Sequence, residues 1–250
     1  MNFSQQTKAN LGLGLYASGI VVSIILALFL AWADFEASFF EYQTQMAMLF
    51  GRSAEKGFDT FSCPLAITRN EKAEILVSIN NPSDRQVKSV LRMTQTEGSV
   101  INVKRIEENL VFSPGQTLEF AWPVQATDAA WERFIMVRAF MIPSSPLPSM
   151  ANYCSILVIN VPFLTGHQVL GLLGVLGVAL MAAGWRVWTI NAGQTVLNAE
   201  KNSRLMLAYS GLVLLGLLLA VFSSWIPAAL VLLLNILVTL VTVSYRLLHS

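Results

Sequence analysis

The chain has 250 residues, 54% of them hydrophobic and only 12% charged, where an ordinary soluble domain carries about 25% charged residues. Mean hydropathy is +0.58 at a net charge of +1. The composition therefore points to a bilayer, and it speaks against a nucleic-acid partner, because no basic cluster is dense enough to track phosphates. The charge is unevenly placed. Asp34–Pro162 carries 11 Lys/Arg and 14 Asp/Glu, whereas the remainder carries Lys8, Arg186, Lys201, Arg204 and Arg246 against Glu200 alone.

Residues 1–33 read as a short cytoplasmic N-terminus followed by a first membrane helix. Leu11–Trp32 has no charged side chain, and its length at 1.5 Å per residue spans a hydrocarbon core of roughly 30 Å. A signal peptide cut after Ala31-Trp32-Ala33 is the alternative, although this run exceeds the usual apolar stretch of about 7–15 residues. Whether the segment is retained or cleaved stays open, but in both readings the chain beyond Ala33 is translocated. Residues 34–57 form an aromatic juxtamembrane segment, read either as a helix lying near the membrane surface or as the first helix continuing outward, in which Phe39 and Phe40 are candidate partner contacts. Aromatic side chains at a membrane exit commonly serve as interfacial anchors.

Residues 58–162 carry β texture. Strands are predicted at Phe61–Thr68, Ala73–Asn80, Gln86–Thr96, Ser99–Arg105, Asn109–Phe112, Thr117–Gln125, Arg133–Ile142 and Asn152–Val161, from β-branched and aromatic residues in partial alternation. Turn residues separate them at Arg69-Asn70-Glu71-Lys72, Asn81-Pro82-Ser83-Asp84, Glu97-Gly98, Ser113-Pro114-Gly115 and Pro143-Ser144-Ser145-Pro146. Short strands at this spacing predict an antiparallel sandwich. The Asn-Pro turn at Asn81 and the Pro-Gly at Pro114 resemble those of small bacterial immunoglobulin-like domains over about 100 residues. That resemblance implies a fold and carries no functional site. Cys63 and Cys154 are the two cysteines of the chain. In a translocated domain they predict a disulfide, with two buried free thiols as the alternative.

Residues 163–188 predict the second membrane helix, with Gly171, Gly174 and Gly177 as a small-residue face for helix packing. Residues 189–204 form a polar cytoplasmic loop. Residues 205–250 form a helical hairpin, helices 3 and 4, with a short cytoplasmic tail. Asn235 lies near the middle of helix 4 and is predicted to bond to a neighbouring helix. With the N-terminus inside, every basic residue outside the polar domain falls on the cytoplasmic side, as the positive-inside rule requires. The lack of a usable N-x-[ST] acceptor in the outer domain leans toward a bacterial envelope.

Chemistry is read mainly by exclusion. The two histidines, His167 and His249, both lie outside the β domain, which speaks against a His-ligated metal or a Ser-His-Asp arrangement there. No Gly-rich phosphate loop is present. No cofactor, metal or catalytic residue is expected.

The resulting expectation is a membrane α plus extracytoplasmic all-β protein. Four transmembrane helices carry an immunoglobulin-like antiparallel β-sandwich inserted between helices 1 and 2. Its expected role is that of a non-catalytic subunit, not an enzyme, in the bacterial inner (plasma) membrane. Both termini are cytoplasmic, and the β domain is periplasmic or extracellular. It presents the sandwich to other integral membrane proteins of a complex, with the lipid bilayer as its other partner. One alternative is a module binding an envelope polymer or small ligand through exposed Trp122 and Trp131. Another is a transporter or lipid-active membrane enzyme, which the absence of charge from the helix centres disfavours.

Overall fold

The computed structural model describes residues 3–47, 56–192, 199–222 and 225–248. One helix, α1 (Phe3–Ala47), precedes eight strands, and three helices follow them: α2 (Gly166–Ala192), α3 (Ala199–Val221) and α4 (Trp225–Leu248). The chain divides into two compact units. One comprises Met1–Trp32 with Val169–Ser250, and the other comprises Ala33–Gln168.

Among the described residues, three helices are long and apolar enough to cross a membrane: α1 over Gln5–Gln43, and α2 and α3 over their full lengths. α4 adds a shorter apolar helix, Trp225–Thr239. α1 and α2 meet through glycines. A Cβ on Gly12 would strike the backbone of Gly184 and Trp188, and one on Gly19 would strike the backbone of Gly177 and Met181. The reciprocal clashes at Gly184 and Gly177 fall on Tyr16 and Ser23. Small residues allow this approach, and van der Waals contact replaces the hydrophobic drive that lipid cannot supply. α3 and α4 close the unit through Val213, Ala220, Ala228 and Leu232, all buried.

The β-unit contains β1 (Thr60–Ser62), β2 (Ala66–Thr68), β3 (Lys72–Asn80), β4 (Val87–Thr96), β5 (Val103–Phe112), β6 (Thr117–Gln125), β7 (Phe134–Met141) and β8 (Met150–Ile159). They form a three-stranded sheet, β1-β3-β6, and a five-stranded sheet, β2-β8-β7-β4-β5. A single core lies against both sheets, built from Ile75, Val77, Ile79 and Trp122 on one side and Leu91, Met93, Phe112, Ile135, Val137 and Ile156 on the other. The alternation follows from the pleat, which sends successive side chains to opposite faces. Ile75, Val77 and Ile79 are buried while Leu76 between them is exposed.

The expected fold, an immunoglobulin-like antiparallel sandwich carried between the first two of four membrane helices, is corrected here. The architecture is an antiparallel three-stranded sheet and a mixed five-stranded sheet, with one helix on the N-terminal side and three on the C-terminal side. β2 runs parallel to β8, with Ala66 opposite Leu157 and Thr68 opposite Ile159. The cause is local. The single strand expected over Phe61–Thr68 breaks at Cys63-Pro64-Leu65, because proline has no N–H to continue a ladder. The chain pairs with β3 before the break and with β8 after it. The two short strands expected at Ser99–Arg105 and Asn109–Phe112 are one strand, β5, in continuous register with β4 from Val103 to Phe112.

The first helix follows one of the two readings given for residues 34–57, continuation outward from the membrane segment. It does not stop at the membrane exit but continues to Ala47, so residues 34–47 of the expected juxtamembrane segment are helical. Residues 48–55 lie outside the described residues, as do parts of the expected cytoplasmic loop (193–198), the turn at 223–224 and the tail at 249–250.

Candidate functional site

The last part of α1, residues 33–47, lies against the outer face of the five-stranded sheet. Two helical stripes explain why. Ala33, Ala37 and Phe40 recur at a spacing of four then three and are all buried, the spacing of one helix face. Phe40 packs on Ala130 and Met136, with Val100 and Val103 beside them. Phe35, Phe39 and Tyr42 form the opposite stripe and stay exposed, at 43%, 48% and 56%.

The sheet face beneath this helix is polar as well as buried. It presents Thr94 and Thr96 from β4, Met136 and Arg138 from β7, and Ser155 from β8. The register sets Thr94 opposite Arg138 and Met136 opposite Ser155. The Thr96 hydroxyl accepts from the Met136 N–H at 3.1 Å. Arg138 is only 3% exposed. Its guanidinium stacks over the Phe140 ring at 5.1 Å, a favourable cation–π geometry, and its Nε has no hydrogen-bond partner. Burial lowers the Arg138 pKa, the charge of Glu41 on α1 raises it in part, and Arg92 lowers it further. Burial raises the Tyr153 pKa, and the carboxylates of Glu41 and Asp34 raise it too. Glu41 of α1 thus acts on the charge of both Arg138 on β7 and Tyr153 on β8.

A capped junction anchors the start of α2 to the β-unit. Thr165 and Gln168 cap each other, the Thr165 N–H donating to Gln168 Oε1 at 3.0 Å and the Gln168 N–H to Thr165 Oγ1 at 3.3 Å. This is the reciprocal arrangement of a capping box. Glu71 Oε2 accepts from the Gly166 N–H at 2.8 Å and from the Thr68 N–H at 2.9 Å. Gly166 sits so close to Ala66 and Ile67 that a Cβ there would collide with their backbone. The sequence marked Glu71 only as a turn residue.

A cleft of about 540 Å³ opens at the opposite end of the strands, lined by Lys56, Asp59, Asn80, Pro82, Pro146 and Met150 among others. Its charged groups are already engaged. Lys56 pairs with Asp59 Oδ1 at 3.1 Å, and Asp59 Oδ2 accepts from the Asn80 N–H at 3.1 Å.

The sequence-predicted residues fall as follows. Cys63 and Cys154 are bonded, with Cα atoms 6.5 Å apart. Trp122 is 5% exposed and belongs to the core, so it is not a surface contact. Trp131 is 57% exposed. It shares with Glu132 a turn in which both have positive φ, 53° and 58°. Phe39 is exposed and Phe40 buried, so the two neighbours serve different faces. Gly177 is a packing glycine, whereas Gly171 and Gly174 have nothing within 4 Å of a built Cβ. Asn235 is fully buried but donates back to Val231 O of its own helix at 2.9 Å. The cross-helix bonds come from the Tyr209 hydroxyl, which meets Thr239 Oγ1 at 2.6 Å and donates to the backbone carbonyl oxygen of Asn235 at 3.4 Å. The packing glycines Gly12, Gly19 and Gly184 carry a detectable signal in the sequence. Gly12 and Gly19 are seven apart, as are Gly177 and Gly184, so each pair recurs on one helix face.

Among the described residues no three His, Cys, Asp or Glu side chains are grouped as a metal site. No family model matches the chain, and no curated protein matches it. Among solved structures, a Bacteroides uniformis beta-glucuronidase is similar over 39% of this chain and 12% of its own, at 14% identity and TM-score 0.27. A Listeria innocua beta-glucosidase in complex with glucose is similar over 44% of this chain and 17% of its own, at 17% identity and TM-score 0.28. The chain thus spans under a fifth of either protein, and likenesses at these TM-scores carry no argument about it.

Proposed function

We propose that the protein is a non-catalytic integral membrane subunit whose β-unit stands outside the cytoplasm and binds a protein partner within a larger membrane complex. The observation that carries this reading is the two-faced end of α1. One face is already used against the five-stranded sheet, and the other leaves Phe35, Phe39 and Tyr42 exposed. Rigid aromatic side chains clustered on one face are the usual anchors of protein interfaces. The uncovered faces of Gly171 and Gly174 on α2 support a further close approach within the membrane. The disulfide favours an oxidising compartment. The placement of Lys8, Arg186, Lys201, Arg204 and Arg246 favours cytoplasmic termini, and a bacterial inner membrane is the setting proposed.

The test is purification of the full chain in mild detergent beside a Phe35→Ala, Phe39→Ala, Tyr42→Ala variant. The wild type is expected to retain a stoichiometric protein partner. The variant is expected to lose it by at least about tenfold, since losing such anchors exceeds the 1.4 kcal/mol that a decade requires. A wild-type chain that purifies alone contradicts the proposal.

A further inference from the structure

The registers gather three connections at one end of the β-unit. Thr96 opposite Val103 places the β4–β5 loop there, Phe134 opposite Leu157 places the entry to β7, and Thr68 opposite Ile159 places the exit from β8. Each of these connections carries an exposed apolar side chain: Ile101 at 91%, Trp131 at 57% and Phe163 at 100%. The loops at the opposite end, residues 81–86, 113–116 and 142–149, expose one large apolar side chain, Ile142 at 36%. Solvated loops rarely collect apolar groups on one end without a partner.

Two of the three are also held in backbone conformations that L residues avoid, with φ of 53° at Trp131 and 76° at Phe163. Such conformations persist where the surroundings impose them, and they cluster at functional positions. In the Trp131 turn, the Ala130 N–H donates to Phe134 O at 2.8 Å and the Arg133 N–H to Ala130 O at 3.1 Å. The backbone is therefore closed beneath an indole that points away from the core.

The chain's own continuation identifies the occupant. This is the end from which the chain enters α2, a helix long and apolar enough to cross a membrane. Phe163 and Leu164 directly precede Thr165, which caps the helix that starts at Gly166, and Glu71 ties the Gly166 N–H to the end of β2. Arg69, Lys104, Arg105 and Arg133 are exposed at the same end, against Glu97 and Glu132. Aromatic and basic side chains together suit the headgroup region of a bilayer.

We infer that this end of the β-unit is a lipid-contacting surface, with Ile101, Trp131 and Phe163 entering the bilayer interface. The inference rests on α2 spanning a membrane and does not need a protein partner, so it and the proposed function fail separately. Cys63 and Cys154 are bonded to each other, so a cysteine introduced elsewhere is the sole free thiol. Spin labels on Ile101→Cys, Trp131→Cys, Phe163→Cys and the reference Ile142→Cys, in the full chain in phospholipid nanodiscs, report depth as the ratio of oxygen to nickel-chelate accessibility. A several-fold higher ratio than at position 142 is expected for the three sites, and two or three such sites support the inference. Ratios no higher than the reference at two or three sites overturn it. The unlabelled chain provides a second reading. Brominated lipid should quench the emission that Trp131→Phe removes, and a lack of quenching of that component contradicts the inference.

Discussion

The two sheets of the β-unit share one core but differ on their outer faces. The three-stranded sheet is open outside, with Leu76 at 48% exposure and Glu119 exposed beside it. The five-stranded sheet is closed outside by α1, so that Thr94, Thr96, Met136 and Arg138 are all buried. The difference teaches that residues 33–47 are a third layer of the β-unit and not a connector. The same helix that begins as an apolar membrane-length segment ends as part of a folded domain. A helix over a polar sheet face must satisfy buried groups or leave them at a cost of about 1–3 kcal/mol each.

Five substitutions or conditions break or sharpen this comparison. The largest effect is expected on the core common to both sheets. Phe112 is fully buried there, and Phe112→Ala should cost about 4 kcal/mol in equilibrium unfolding of the β-unit. Removing the Cys63–Cys154 bridge, whose cysteines are 91 residues apart, should cost a similar amount, about 4 kcal/mol in the chain-entropy model. It ties the crossing between the two sheets to β8, so denaturation with and without reductant measures it directly. Phe40→Ala should cost about 3 kcal/mol if α1 covers the sheet, and well under 1 kcal/mol if the helix merely lies nearby. On the open face, Leu76→Thr should change stability by no more than about 0.5 kcal/mol.

The smallest expected effect is a pH dependence. The folded-state pKa of Tyr153 is raised above its ordinary value of 10.0 by burial and by Glu41 and Asp34. The stability it contributes is therefore complete below pH 10 and is lost as pH rises from there through the higher folded-state value. Tyr153→Phe should flatten the fall of the thermal midpoint above pH 10.

Much of the β-unit was legible because alternation reports burial directly. Thr117–Gln125 is β6 as predicted, β3, β4, β7 and β8 shift by a residue or two, and β5 joins two strands that were expected apart. The Phe61–Thr68 strand was misread because the apolar pattern continues through Pro64, although the ladder cannot. The outer part of α1 was obscure for a different reason. Phe35, Phe39 and Phe40 are equally aromatic in sequence, and only the sheet beneath them separates the buried ring from the exposed ones. Trp122 and Trp131 pose the same problem, since hydrophobicity alone cannot tell a core indole on β6 from a turn indole at positive φ. The glycine contact between α1 and α2 was present as a seven-residue spacing on both helices. The regular three-residue spacing of Gly171, Gly174 and Gly177 drew attention away from it. Asn235 was predicted to bridge helices, but the amide reached its own helix carbonyl four residues back, a competing bond always available inside a helix.

The most direct test of the third layer is the reactivity of a thiol placed on each outer face of the folded, full-length protein. Thr94 is 2% exposed on the five-stranded sheet, and Glu119 is exposed on the three-stranded sheet. Thr94→Cys should resist a water-soluble maleimide under native conditions while Glu119→Cys reacts at the rate of an exposed thiol. Equal rates at the two positions would show that α1 does not cover the five-stranded sheet.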